Sequence, residues 1–133
     1  EDLDPVYMAR LRASATGAPI SFPGTFAKEA MAGILADVDL LVVPSRWYEN
    51  SPLVLLNALA THTPVLIADV AGMTEFVEEE VNGYHFRRGS VDDLEARLRA
   101  LLKEPDTLAR LSETTRYERT IEMMARETFQ IYS

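Results

Sequence analysis

Cysteine is missing from all 133 residues, which excludes disulfides, thiolate metal sites and a cysteine nucleophile. A thiol-free chain suits a reducing compartment, so a cytoplasmic location is the expectation. Basic residues are scarce: 13 Lys and Arg face 21 Asp and Glu, for a net charge of −8. That balance disfavours a nucleic-acid binder, whose affinity rests on neutralising phosphates. It equally disfavours a polybasic membrane-surface module. No apolar run approaches the roughly 20 residues of a membrane span, and no signal-peptide pattern opens the sequence. There is no Walker A loop, no GxGxxG and no GxSxG. Internal repeats and low-complexity linkers are also lacking. What remains is 47% hydrophobic and 26% charged, the composition of one globular domain able to bury about two-thirds of its unfolded surface.

Two short, continuous runs of branched apolar residues read as strands, Leu40-Leu41-Val42-Val43 and Val65-Leu66-Ile67-Ala68. Continuous rather than alternating hydrophobicity predicts strands covered on both faces, as in parallel sheets. Between them, Leu53 to Ala60 is almost wholly apolar. Ser51 is placed to cap this helix, and Pro52 suits its first position, where no N–H is needed. The result is a βαβ unit. Pro19 to Phe22 is expected to form a further short strand and Tyr84-His85-Phe86 the last one. A short helix is expected from Met73 to about Glu79, with a turn at Asn82-Gly83. Ser90-Val91-Asp92-Asp93 resembles a capping box before a helix whose Leu94, Leu98, Leu101 and Leu102 share a face. Further helices are expected at Pro5 to Ala15, Met31 to Val38, Asp106 to Glu113 and Thr120 to Tyr132. The alternation predicts an α/β fold, a Rossmann-like parallel sheet with helices on both faces.

Ligands of open α/β sheets bind at the carboxyl ends of the strands, and two loops here lie at such ends. Pro44 to Pro52 holds the single Trp of the chain, Trp47, with Glu49 and Asn50, just before a helix N-terminus. Such a terminus carries unpaired N–H groups and partial positive charge, suited to a phosphate or diphosphate. Glu49 would repel that phosphate, so its carboxylate is better matched to the hydroxyls of an adjoining sugar. The competing reading makes Glu49 a solvated carboxylate and Trp47 a packing residue. The second loop, Asp69 to Glu75, turns at Gly72, where the absent Cβ permits close backbone approach. Asp37-Val38-Asp39 precedes its strand and lies at the wrong edge of the sheet for a site. His62 and His85 lack partners at metal-ligand spacing. Glu78-Glu79-Glu80 reads as a solvated helix end. Arg87-Arg88, after the last strand, is either an anion-holding pair or plain surface.

From Ile20 to Tyr132, about 85% of the chain, the segment order resembles the second, donor-binding half of a GT-B glycosyltransferase, specifically the large retaining family 4. The resemblance is carried by Asp39, the strand ending in Val43, Pro44-Ser45, the Trp-Tyr-Glu-Asn-Ser-Pro run from Trp47, the Ala-rich helix and Pro64-Val65. It is carried also by Ala71-Gly72-Met73-Thr74-Glu75 and Asn82-Gly83. The resemblance implies sugar transfer from a nucleotide-diphosphate sugar, in polysaccharide or glycoconjugate synthesis, without a metal or other cofactor. Glu49 would be the residue that positions the donor sugar. Backbone groups of Asn50, Ser51 and Leu53 would lie along sugar and diphosphate, Asn57 would face the ribose, and Gly72 with Met73 would form the adjoining wall.

This sequence departs from the family pattern in three places: Asn57 replaces a Glu, His62 a Gly, and Ala71 the first Gly of a pair. The resemblance further implies a partial domain, truncated at its N-terminal edge. Two strands, and the acceptor domain on which the final helix (about 120–132) would pack, would come from elsewhere in the protein or from another chain. Peripheral membrane association of that larger protein and inactivity of this chain alone are part of the same expectation. Two alternatives stand beside it: a non-catalytic nucleotide-sugar-binding or interaction module, and a nucleotide-sugar epimerase of the same architecture.

Overall fold

A computed structural model describes residues 4–50 and 52–132, and the chain divides into two compact units that meet at Ala30 and Met31. The first unit begins with helix α1 (Pro5–Ser14), whose Asp4 side chain accepts the Tyr7 N–H at 2.9 Å and whose Pro5 occupies the first turn. Residues 15–27 are irregular, with Gly17 and Gly24 at positive φ, and close on a single 3₁₀ turn, Lys28–Ala30. The strand expected at Pro19 to Phe22 does not form. Pro19 and Pro23 each remove a ladder donor, the Ile20 N–H turns back onto the Ala18 carbonyl, and Ile20 and Phe22 are exposed.

The second unit holds the core. Its order is α2 (Met31–Ala36), β1 (Leu41–Val43), α3 (Leu53–Ala60), β2 (Val65–Ala68), β3 (Gly83–Phe86), α4 (Val91–Lys103), α5 (Asp106–Thr114) and α6 (Ile121–Tyr132). The strands form one parallel sheet in the order β1-β2-β3, with Leu41 opposite Val65 and Val65 opposite Gly83. All four residues of β2 are fully buried, as continuous hydrophobicity predicted for a strand covered on both faces. Helix α3 packs on β1, β2 and α2 through Leu55, Ala58 and Leu59, and α4 packs on β3. A Rossmann-like α/β arrangement results. Among the described residues no helix is long and apolar enough to cross a membrane.

Local chemistry explains the remaining elements. Helix α3 starts at Leu53, with Pro52 (φ −65°, ψ 117°) as the extended flanking residue rather than the first helical one. The expected Ser51 cap lies outside the described residues. At the other end His62 adopts φ 61°, and the Thr63 and His62 N–H groups bond the Ala58 and Leu59 carbonyls. This is the left-handed helix ending that glycine favours. The His62 strain is offset by a contact of 2.9 Å from its Nδ1 to the Thr115 carbonyl and by Ser112, whose hydroxyl donates to the His62 carbonyl. Arg116 Nη1 stands 2.7 Å from the same nitrogen and donates to the Thr115 carbonyl, so Nδ1 serves one partner at a time, as donor to the carbonyl or acceptor from the guanidinium. Ser90 caps α4 by accepting the Asp93 N–H, while the Asp93 carboxylate accepts the Arg87 N–H at 2.6 Å. Leu94, Leu98 and Leu101 of α4 face inward, but Leu102 is 81% exposed because its position rotates off their face.

The helix expected from Met73 to Glu79 is instead a run of turns. Val70, Met73 and Val77 are buried, and the Asn82 side chain holds the loop by accepting the Glu78 N–H and donating to the Phe76 carbonyl. Consequently Glu78-Glu79-Glu80 is no helix end. Glu79 accepts the His85 N–H at 2.7 Å and faces Arg97. Gly83 serves close approach rather than turn geometry: a Cβ there would sit 2.2 Å from the Val65 carbonyl oxygen.

Candidate functional site

The three loops that follow β1, β2 and β3 leave the same, carboxyl edge of the sheet, because all three strands run parallel. The first loop carries the half-buried Glu49. The hydroxyl of Ser45, four residues earlier, donates to Glu49 Oε1 at 2.8 Å and so fixes the carboxylate at the loop's base. The second loop is pressed directly onto the first. The Glu49 N–H reaches the Ala71 carbonyl at 3.4 Å, and Gly72 sits at φ +84°. A Cβ on Gly72 would lie 1.6 Å from the Glu49 carbonyl oxygen and 3.6 Å from the Asn50 nitrogen. Glycine is therefore demanded twice here, by conformation and by the peptide in front of it.

That clasp brings Glu49, Asn50 and Gly72 together. Asn50 is exposed beside it, and Leu53, 75% exposed, opens α3 a few residues on. Within the helix the Leu53 and Val54 N–H groups have no carbonyl four residues back, and Pro52 offers no side-chain acceptor. Their partial positive charge is available at the loop. Asn57 is exposed one turn further along α3. Its carbonyl accepts the Thr61 hydroxyl, and its side-chain amide has no hydrogen bond within the described residues. Met73 stands apart from the others. Its side chain is fully buried in the core and its N–H bonds the Val70 carbonyl, so it supports the loop from below. Ser51 lies outside the described residues.

A cavity of about 360 Å³ opens on this rim, lined by Tyr48, Asp69, Val70, Ala71, Arg87 and Arg88. It adjoins Glu49 through Tyr48 and Ala71 and lies on the β2–β3 side. The Arg88 guanidinium stands 5.8 Å from the centre of the Tyr48 ring, a cation–π distance. Arg46 reaches from the first loop to the third, close to Gly89. Reading the sequence assigned no role to Ser45, Arg46 or Tyr48, although Ser45 and Tyr48 belong to the motifs that carry the resemblance. The four-residue spacing of Ser45 and Glu49 within one loop was the available signal for the first. Among the described residues, no three His, Asp or Glu side chains converge as a metal cluster.

Comparison with known proteins fits this geometry. The family model described as glycosyl transferases group 1 matches residues 8–118. The sulfoquinovosyl transferase of Arabidopsis thaliana is 30% identical over 118 residues, covering 86% of this chain and 23% of that protein. A GDP-mannose-dependent phosphatidylinositol dimannoside mannosyltransferase of Mycobacterium tuberculosis is 37% identical over 70 residues, 52% of this chain and 18% of that one. Among solved structures, Anabaena HepE in complex with UDP and glucose superposes with a TM-score of 0.80 at 19% identity, over 95% of this chain and 36% of that chain. The sucrose-phosphate synthase of Thermosynechococcus elongatus gives 0.73 at 22% identity, over 95% and 33%. The chain thus spans about a quarter or less of these curated relatives, and its fold matches part of a GT-B glycosyltransferase. By the family model, which takes in most of its length, the chain belongs to the group 1 glycosyl transferases.

Proposed function

We propose that this chain is the donor-binding part of a retaining, family 4 glycosyltransferase that moves a hexosyl group from a nucleotide-diphosphate sugar to an acceptor, in the cytoplasm and without a metal. The observation that carries the proposal is the clasp between Gly72 and the Glu49–Asn50 peptide. It holds a carboxylate with a preset hydroxyl donor beside the start of α3. A sugar at Glu49 would give its hydroxyls to that carboxylate, leaving the diphosphate toward the Leu53 and Val54 N–H groups. As the sugar–phosphate bond breaks, negative charge grows on the leaving diphosphate, and N–H groups already oriented toward it stabilise the transition state more than the ground state. The Asn57 amide, with no hydrogen bond among the described residues, suits the ribose hydroxyls, with neutral hydrogen bonds in place of charged ones. The HepE neighbours, solved with UDP-glucose or with UDP and glucose, support a donor of this chemical class.

In this reading a second domain supplies the acceptor site, α6 packs on that domain, and the chain alone turns nothing over. UDP-glucose titrated into the chain is expected to shift the amide resonances of Asn50, Leu53 and Gly72. In the complete protein Glu49→Ala is expected to lower kcat by about 100-fold, and the product should keep the donor's anomeric configuration. Inversion would remove the retaining assignment. Unchanged turnover in Glu49→Ala would remove the site.

A further inference from the structure

Arg46, Arg87 and Arg88 gather on the loops at the carboxyl rim of the sheet, after β1 and β3. Elsewhere among the described residues Arg97 faces Glu79, Arg99 bonds Glu95 and Arg119 bonds Glu127, while Arg10, Arg110 and Arg126 also form no ion pair. The three rim arginines form no ion pair within the described residues, although Asp69 lines the same cavity as two of them. Two of the guanidinium groups have a contact that places them: Arg88 is stacked on Tyr48, and Arg46 lies along Gly89, whose φ of +74° bends the third loop. The Arg87 backbone N–H is bonded by Asp93 at the capped start of α4. A Cβ on Gly89 would lie 3.6 Å from Arg46 Nη2, an ordinary contact, so the guanidinium lies directly beside this turn.

Like charges gathered on a rim repel one another unless a counter-charge enters. A planar guanidinium presents paired N–H donors that match the oxygens of a phosphate, sulfonate or carboxylate, and stacking on an aromatic ring fixes its plane without using those donors. The cavity of about 360 Å³ is of the size that holds a small organic ligand rather than a lone ion. Ala71 and the exposed Tyr48 ring give it an apolar side, and Asp69 shares the lining with the two arginines.

We infer that this pocket is an oxyanion subsite, taking a phosphate, sulfonate or carboxylate borne by a small ligand whose body lies against Tyr48, and that it selects an acidic substrate for the neighbouring Glu49 site. The first half stands on the pocket alone, while the substrate role rests on the function proposed above. The acidic group belongs either to the donor sugar or to the acceptor, and both present the same oxygens. The pocket lies beside Glu49 through Tyr48 and Ala71, and its lining does not include the start of α3.

Phenyl phosphate, which joins an oxyanion to a ring, is the probe. Titrated into the whole chain, it is expected to give saturable shifts of the Ala71 and Gly89 amides. The double variant Arg87→Ser, Arg88→Ser should bind it at least about tenfold more weakly, whereas Lys103→Ser, which removes the same kind of charge elsewhere, should bind it normally. Shifts that never saturate, or that weaken equally in Lys103→Ser, would reduce the pocket to unspecific charge and overturn the inference. A parallel UDP-glucose titration keeps the two readings apart. Loss of that response with phenyl phosphate binding intact sinks the proposed function and spares the subsite, and the reverse sinks the subsite. UDP-glucuronate binding about tenfold tighter than UDP-glucose, with the difference abolished in the double variant, assigns the acidic group to the donor. Equal binding of the two sugars overturns a role of the pocket in selecting the donor.

Discussion

Strand β2 and helix α6 draw on the same apolar residue types and come to opposite ends. Val65, Leu66, Ile67 and Ala68 are all fully buried, flanked by a strand on each side and by α3. Ile121, Phe129, Ile131 and Tyr132 of α6 are each about four-fifths exposed, and no residue of that helix is buried. Hydrophobicity therefore does not stabilise a segment by itself. It does so only where a partner removes the surface from water, at roughly 25 cal/mol per Å². Helix α6 is held by local bonds instead: Thr120 accepts the Met123 N–H, Arg119 pairs with Glu127, and the Thr128 hydroxyl donates to the Met124 carbonyl. The same Thr120 hydroxyl holds the Glu122 carboxyl below its usual range, ahead of a smaller contribution from a backbone N–H. Twelve residues that bury no side chain make a marginal helix.

The largest expected effect lies where β2 has least room to give. Gly83→Ala would drive a methyl group into the Val65 carbonyl, at 2.2 Å from its oxygen, on the central strand. Backbone cannot move aside as a flexible side chain can, so a loss of about 3–5 kcal/mol is expected. Urea denaturation checks it: the midpoint should fall while the slope holds. A loss under about 1 kcal/mol would mean that the β2–β3 pairing is loose. Next comes Gly72→Ala, which meets the Glu49 carbonyl and a positive φ together but sits in a loop that has somewhere to go. About 2–3 kcal/mol is expected, accompanied by loss of the nucleotide-sugar response. Loss of that response with the β2 amides still protected from exchange would place the damage at the clasp rather than in the core.

The same contrast decides what the sequence disclosed. Segments whose fate is set by their own composition were legible: the runs ending at Val43 and Ala68, the Ala-rich α3, and the Ser90 cap. So was Glu49 in a loop at the carboxyl edge, because strand direction fixes which edge that is. Segments settled by a distant partner were not. Met73 to Glu79 has helical content, but Asn82 captures the Phe76 carbonyl and Glu78 N–H that a helix would have used. Pro19 to Phe22 reads as a strand and finds no ladder. The stacking of Arg88 on Tyr48 joins residues forty positions apart, a separation at which neither residue signals the other. His62 is an intermediate case: the position wants glycine, and only the structure shows the contacts from Thr115 and Ser112 that let a histidine stay.

His62 gives a smaller effect that can be divided. His62→Ala keeps the unfavourable φ and loses the ring's hydrogen bond. His62→Gly loses the same bond but relieves the backbone. The glycine variant should therefore be the more stable of the two by about 1 kcal/mol, read from paired thermal melts of the whole chain. An alanine variant equal to the glycine one would show that the turn carries no strain.

The smallest effect tests the exposed side of the comparison. Phe129 is 79% exposed, so Phe129→Ser removes almost no buried area. In this chain the change should move stability by no more than about 0.5 kcal/mol, where an equivalent truncation of Leu66, fully buried on β2, should cost about 2–5. The same substitution made in a protein that carries the acceptor domain should cost far more if α6 packs there as proposed. A large loss in the isolated chain would mean that α6 already buries Phe129 against the sheet unit, and α6 would then belong to the core with β2.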